Sequence, residues 1–247
     1  MQIRLTRAVK ALLIACVAAF LVQQISDQFL GGNLLSWFGL VPSQVVFGGR
    51  IWQIVTYSFL HGDVMHLVLN MMMLVFIGGE LESAWGTPRF LRFYFFCVVC
   101  GGLAYLFLQT LVWKGTAPMV GASGGIYGLL MAYGILFGER VLLFMMLFPM
   151  KAKHFVWILA AIELLSTVFA GHAGGGLGSV AHLGGMAGGF AYLYGRAYWK
   201  VSQKRQLDKQ GQARKDHIRK GRSHLKVVGG TEQAKDSESD TDSKTWH

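Results

Sequence analysis

Runs of apolar residues close to twenty long recur along this chain between Val9 and Trp199, separated by short connections that carry its charges and glycines. A helix needs roughly 20 apolar residues to cross a bilayer core. On that measure the pattern predicts six spans, at about 9–24, 62–79, 91–113, 121–138, 154–170 and 180–199. The first run follows Arg4, Arg7 and Lys10 and has the outline of a signal peptide. Val22-Gln23-Gln24-Ile25-Ser26-Asp27 offers no small-x-small cleavage site, so the run is expected to be a retained span. Residues 26–60 mix Phe29, Leu34, Trp37, Phe38, Val45 and Trp52 with glycines and polar positions. That stretch is too broken to span and too apolar for a free loop, which predicts a structured segment at the membrane interface. Residues 141–149 are apolar but too short to cross, and Pro149 ends them; an interfacial hairpin or short helix is expected. The glycine-rich linker at 171–178 is expected to be mobile.

Composition supports the same class. Of 247 residues 53% are hydrophobic and only 15% charged, where soluble domains carry about 25% charged residues. The net charge of +10 is uneven, because thirteen of the 23 Lys and Arg lie from Arg196 onward. A tail beside an anionic leaflet accounts for that charge, so no nucleic-acid partner is invoked. Twenty-one of the 23 basic residues fall on one side of the predicted spans, leaving Arg50 and Lys114 on the other. Both termini are therefore expected in the cytoplasm. Residues 1–199 form the expected membrane domain and 200–247 a polar tail, disordered or loosely helical because it has little to bury. The compact plan, without an evident extra domain, suggests a prokaryotic inner membrane. Cys16, Cys97 and Cys100 sit in apolar runs and read as small packing residues.

The chemistry stands out against this background. Spans two, four and six all enter from the outer side. His66 and Asn70 lie near the start of span two, Ser123 near the start of span four and His182 near the start of span six. Topology alone puts all four at similar shallow depth, and polar groups there tend to mark function. Each has a structural reading as a helix contact, and it weakens for the matched set. Around Ser123, small residues at 121, 122, 124 and 125 let a backbone or substrate approach the hydroxyl. The first amides of a helix lack intrahelical partners and can point at a developing oxyanion. Gly185 and Gly189, and likewise Gly184 and Gly188, are four apart and suit close docking of span six. Docked on span four, it would bring His182 within reach of Ser123. His66 and Asn70 share a helical face and can both donate toward one point. A metal site with His61 is the weaker use of that pair, since no carboxylate stands at suitable spacing; no cofactor or metal is expected. Tyr127, four residues after Ser123, either stacks under His182 or is ordinary packing. No carboxylate is evidently placed to orient His182. Glu163, inside span five, is unexplained by the pattern, so a serine–histidine dyad is expected rather than a triad.

Gly121-Ala122-Ser123-Gly124, Ala181-His182-Leu183-Gly184-Gly185 with Gly189, the stretch from His61 through His66 to Asn70, and Gly78-Gly79-Glu80-Leu81-Glu82 together resemble the rhomboid family of intramembrane serine proteases. The resemblance covers about residues 10–198. It implies an all-α membrane protein, a six-transmembrane-helix rhomboid-like bundle with a membrane-embedded first loop at 26–60. It implies Ser123 as nucleophile, His182 as general base, and His66, Asn70 and the Ser123 amide as oxyanion donors. It further implies Tyr127 as support for His182 and the linker at 171–178 as a lid. Its partners would be the lipid bilayer and transmembrane segments of protein substrates. One departure is Trp52-Gln53, where the family often has Trp-Arg. A non-cleaving relative that only holds membrane helices would be expected to lack the serine or histidine. A transporter would be expected to show two corresponding halves, and none is evident.

Overall fold

A helix facing lipid on one side and protein on the other needs no polar face, and most helices here have that character. The computed structural model describes residues 5–144, 148–170 and 177–223. Helix α1 (Arg7–Phe29) buries Val9, Leu12, Cys16 and Phe20 at intervals of three and four, while Ile14, Leu21, Val22 and Ile25 face outward. Four helical stretches are long and apolar enough to cross a membrane: Arg7–Phe29, Val64–Trp85, Thr87–Trp113 and Ala152–Phe169. The architecture is an all-α membrane fold with one small hairpin.

The segment after α1 is built of short helices, α2 (Leu34–Phe38), α3 (Pro42–Val46) and α4 (Gln53–Thr56), the last running into a tight turn at Tyr57–Phe59. Its backbone is tied by side chains. Gln53, fully buried, accepts from the Val41 amide at 3.0 Å and donates to the Ser36 carbonyl at 2.8 Å and Gln44 Oε1 at 3.0 Å. Arg50 reaches the same Ser36 carbonyl and Gln44, and its guanidinium lies 4.1 Å from the Trp37 ring centre. Two hydrogen bonds between Leu40 and Met119 join this segment to the stretch that leads into the serine.

Span two is longer than its apolar run. Helix α5 (Val64–Met73) passes through a π-turn at Leu74–Gly78 into α6 (Gly79–Trp85). Glu80 and Glu82 do not end the helix because both are consumed. Glu82, 3% exposed, accepts from the amides of Ala8 and Val9 and from the hydroxyls of Thr6 and Thr87. Glu80 takes Tyr133 and Arg140. The helix stops at Gly86, whose φ of 79° breaks the ladder. Helix α7 (Thr87–Phe107) follows with Pro88 in its first turn and continues through a π-turn at Leu108–Trp113.

Helix α8 (Ser123–Leu136) is central, with Leu129, Leu130, Ala132 and Tyr133 almost wholly enclosed. Strands β1 (Val141–Phe144) and β2 (Phe148–Lys151) then pair antiparallel, Leu142 opposite Met150, so of the expected hairpin or short helix the hairpin forms. Glu139 clasps Lys151 and Lys153 at its base, and those hydrogen bonds hold its carboxyl down at about 2. Helix α9 (Ala152–Ala170) is the most exposed of those four helices, and α10 (Leu177–Ser223) carries the last apolar run. Residues up to Ala197 form one compact unit. The second unit begins at Tyr198, and its residues are helical as far as Ser223. Residues 171–176 of the glycine-rich linker and the tail from 224 lie outside the described residues.

Candidate active site

Ser123 opens α8, and the residues before it are fixed by geometry that only glycine accepts. Gly121 has φ of 126°, and a Cβ there would come within 2.8 Å of the His66 ring. Its amide donates to the Tyr57 carbonyl at 2.9 Å, which anchors the turn to the first loop. Ala122 is fully buried beneath it.

His182 reaches Ser123 because α10 lies almost backbone to backbone on α8. A Cβ on Gly185 would stand 1.9 Å from the Gly124 carbonyl oxygen, and one on Gly189 would stand 3.0 Å from the Gly128 oxygen. The alternate pair serves another neighbour: Gly184 and Gly188 face Ala104 and Cys100 on α7. With the helices this close, His182 Nε2 lies 2.8 Å from Ser123 Oγ. Tyr127 stacks flat on the imidazole, with ring centres 4.0 Å apart and planes 5° from parallel.

His66 sits beside Gly121, so its ring borders the approach to the hydroxyl. Its own amide is capped by Asp63 Oδ1 at 2.8 Å, which sets the start of α5. Asn70, one turn further, is buried and gives one amide N–H to the His66 carbonyl at 2.9 Å. His61 packs edge-on against His66 at 5.3 Å. Neither of its ring nitrogens meets a partner in hydrogen-bond geometry among the described residues. Burial, with His66 beside it, pushes its pKa down to about 4, so His61 is neutral at pH 7.

One residue is corrected from the sequence reading. A carboxylate does stand beside His182. Glu163 on α9 is 7% exposed while its neighbours Ile162 and Leu164 face outward. Its Oε1 lies 3.0 Å from His182 Nδ1 and accepts a hydrogen bond from the Tyr127 hydroxyl. The two atoms are close, but the contact falls outside hydrogen-bond alignment. The clue available in sequence was its placement: an acid in an apolar run needs a partner inside the bundle.

An apolar helical bundle that buries such a polar cluster is an integral, multi-pass membrane protein. The family model described as the Rhomboid domain matches residues 48–199, and the chain belongs to the rhomboid family. It is 38% identical over 84 residues to human Rhomboid-related protein 3, covering 34% of this chain and 20% of that protein. It is 30% identical over 153 residues to RHOMBOID-like protein 4 of Arabidopsis thaliana, covering 62% and 36%. With Rhomboid-like protease 3 of Toxoplasma gondii it shares 37% identity over 81 residues, covering 33% and 29%. The matched region thus spans well under half of each of these relatives.

Proposed function

We propose that this protein is an intramembrane serine endopeptidase that cuts transmembrane segments of other membrane proteins near the outer leaflet. The observation that carries this reading is the 2.8 Å contact between Ser123 Oγ and His182 Nε2 inside an apolar bundle. In the reaction, Ser123 Oγ attacks the scissile carbonyl carbon as His182 Nε2 takes its proton, and the carbonyl π-electrons pass to oxygen. His66, Asn70 and the Ser123 amide stabilise that oxyanion. Collapse re-forms the carbonyl and breaks the C–N bond, and the proton on Nε2 goes to the leaving amine. Water then hydrolyses the acyl-enzyme by the same steps, with His182 again as base.

The length of α8 supports the depth of cleavage. Fourteen residues rise only about 21 Å at 1.5 Å each, against a core of about 30 Å. With Glu139 and Arg140 at the cytoplasmic surface, the Ser123 end stops short of the outer one and is reachable by water. We assign six crossings, with α8 and the apolar part of α10 completing the four long helices, and both termini in the cytoplasm of a prokaryotic inner membrane. The domain boundary we assign falls near residue 199, ahead of the polar tail.

The test is co-expression with a tagged transmembrane substrate. Cleavage is expected from the wild type and a fall of roughly 10³-fold or more in Ser123→Ala and in His182→Ala. A fluorophosphonate probe is expected to label the wild type and not Ser123→Ala. Undiminished cleavage by Ser123→Ala overturns the reading.

A further inference from the structure

We propose that Glu163 is the third member of this centre: its carboxylate holds the Nδ1–H of His182, so that Nε2 faces Ser123 as the basic nitrogen. The inference rests on the protease reading above and deepens it.

Three observations converge on this carboxylate. Its Oε1 is 3.0 Å from Nδ1, on the opposite side of the imidazole from the Nε2–Ser123 contact. Tyr127 touches both partners, stacking on the His182 ring and donating its hydroxyl to the same Oε1. Glu163 is also the enclosed member of its helical turn, and its neighbours on both sides face outward. A carboxylate in a lipid-facing helix is costly unless paired, and its partners here are the imidazole and the tyrosine that braces it.

The geometry has a defined consequence. A neutral imidazole has two tautomers, and only the one protonated on Nδ1 can take a proton at Nε2. A carboxylate against Nδ1 selects that tautomer. When Nε2 accepts the Ser123 proton, the ring becomes a cation, and Glu163 is the anion facing it. Among the described residues, His66 and Tyr127 are the other titratable groups around the imidazole, and neither supplies negative charge at neutral pH. The imperfect alignment suits a resting enzyme, because such contacts commonly straighten when substrate binds. Glu163 moves no proton itself and does not touch substrate. It is a positioning residue.

The experiment uses the full chain in proteoliposomes with a fluorogenic transmembrane peptide. Glu163→Gln keeps the shape of the side chain and removes its charge. Its kcat is expected to fall about 10–100-fold with KM within about twofold, short of the roughly 10⁴-fold that a wrong tautomer costs in soluble triads, because Tyr127 still braces the ring. Its melting temperature is expected to stay near that of the wild type. The second arm needs no variant at Glu163. In ¹⁵N-histidine wild-type protein carrying a fluorophosphonate adduct on Ser123, the Nδ1 proton of His182 is expected well downfield of an ordinary imidazole N–H, with the signal absent in His182→Ala. An unchanged kcat in Glu163→Gln overturns the proposal, as does an Nδ1 proton at the ordinary position. If Ser123→Ala and His182→Ala still cleave, the protease reading itself fails. If they are inactive while Glu163→Gln is unimpaired, only the role of Glu163 fails.

Discussion

At the scale of single residues, the contact between Ser123 and His182 depends on atoms that are missing. Gly185 has a carbonyl oxygen where its Cβ would stand, at 1.9 Å, so Gly185→Ala must push α10 away from α8. Overpacking of this kind costs about 1–3 kcal/mol. A shift near 1 Å in catalytic groups costs on the order of 100-fold in rate. The variant is therefore expected to lose more activity than stability, read by peptide cleavage beside thermal unfolding in detergent. Gly195→Ala is the matched control, since nothing lies within 4 Å of that position. It is expected to be neutral, or more stable by about 0.5–1 kcal/mol. Ser123, His182 and these glycines were legible in sequence because each breaks the apolar pattern at a recognisable spacing. Glu163 broke the pattern as visibly, but its direction was not legible. Span five is apolar on every side, so hydrophobic periodicity could not say which way α9 is turned.

At the scale of elements, span two shows where hydropathy misleads. The apolar run fades at Gly78, yet the helix continues to Trp85 because two carboxylates find partners from other helices. Glu82 joins the start of α1 to the junction of α6 and α7 through four donors. Glu82→Ala strands the amides of Ala8 and Val9 and two hydroxyls in a buried site. The expected loss is on the order of 2–4 kcal/mol, seen as a lower melting temperature in detergent. Glu82→Gln keeps one acceptor and is expected to lose less. An equal loss in both variants would place the effect in the charge rather than in the number of bonds. The first loop illustrates the opposite limit. Its composition announced a structured interfacial segment, but its internal ties did not follow from pattern. Gln53 serves Val41, Ser36 and Gln44 at once while Arg50 binds the same Ser36 carbonyl and Gln44, so a polar network ties the loop together with glutamine at position 53.

At the scale of the whole molecule, the direction of insertion would decide which compartment supplies water to the proposed deacylation. Of the 23 Lys and Arg, only Arg50 and Lys114 fall on the predicted outer side. Each is tied to structure there: Arg50 bonds within the first loop, and Lys114 ends the π-turn of span three with φ of 50°. The predicted cytoplasmic side gathers Arg140, Lys151 and Lys153 against Glu80 and Glu139, so the charge bias coincides with the helix ends opposite Ser123. Thiol labelling on intact cells tests this directly. Lys114→Cys is expected to react with a membrane-impermeant maleimide from outside, whereas Glu139→Cys and Lys204→Cys are expected to react only after permeabilisation. Cys16, Cys97 and Cys100 lie inside apolar helices, and the unsubstituted chain serves as the blank. The reverse pattern would turn the Ser123 end of α8 toward the cytoplasm. The site would remain chemically intact, but its water and its substrates' cleavage points would then belong to the inner leaflet.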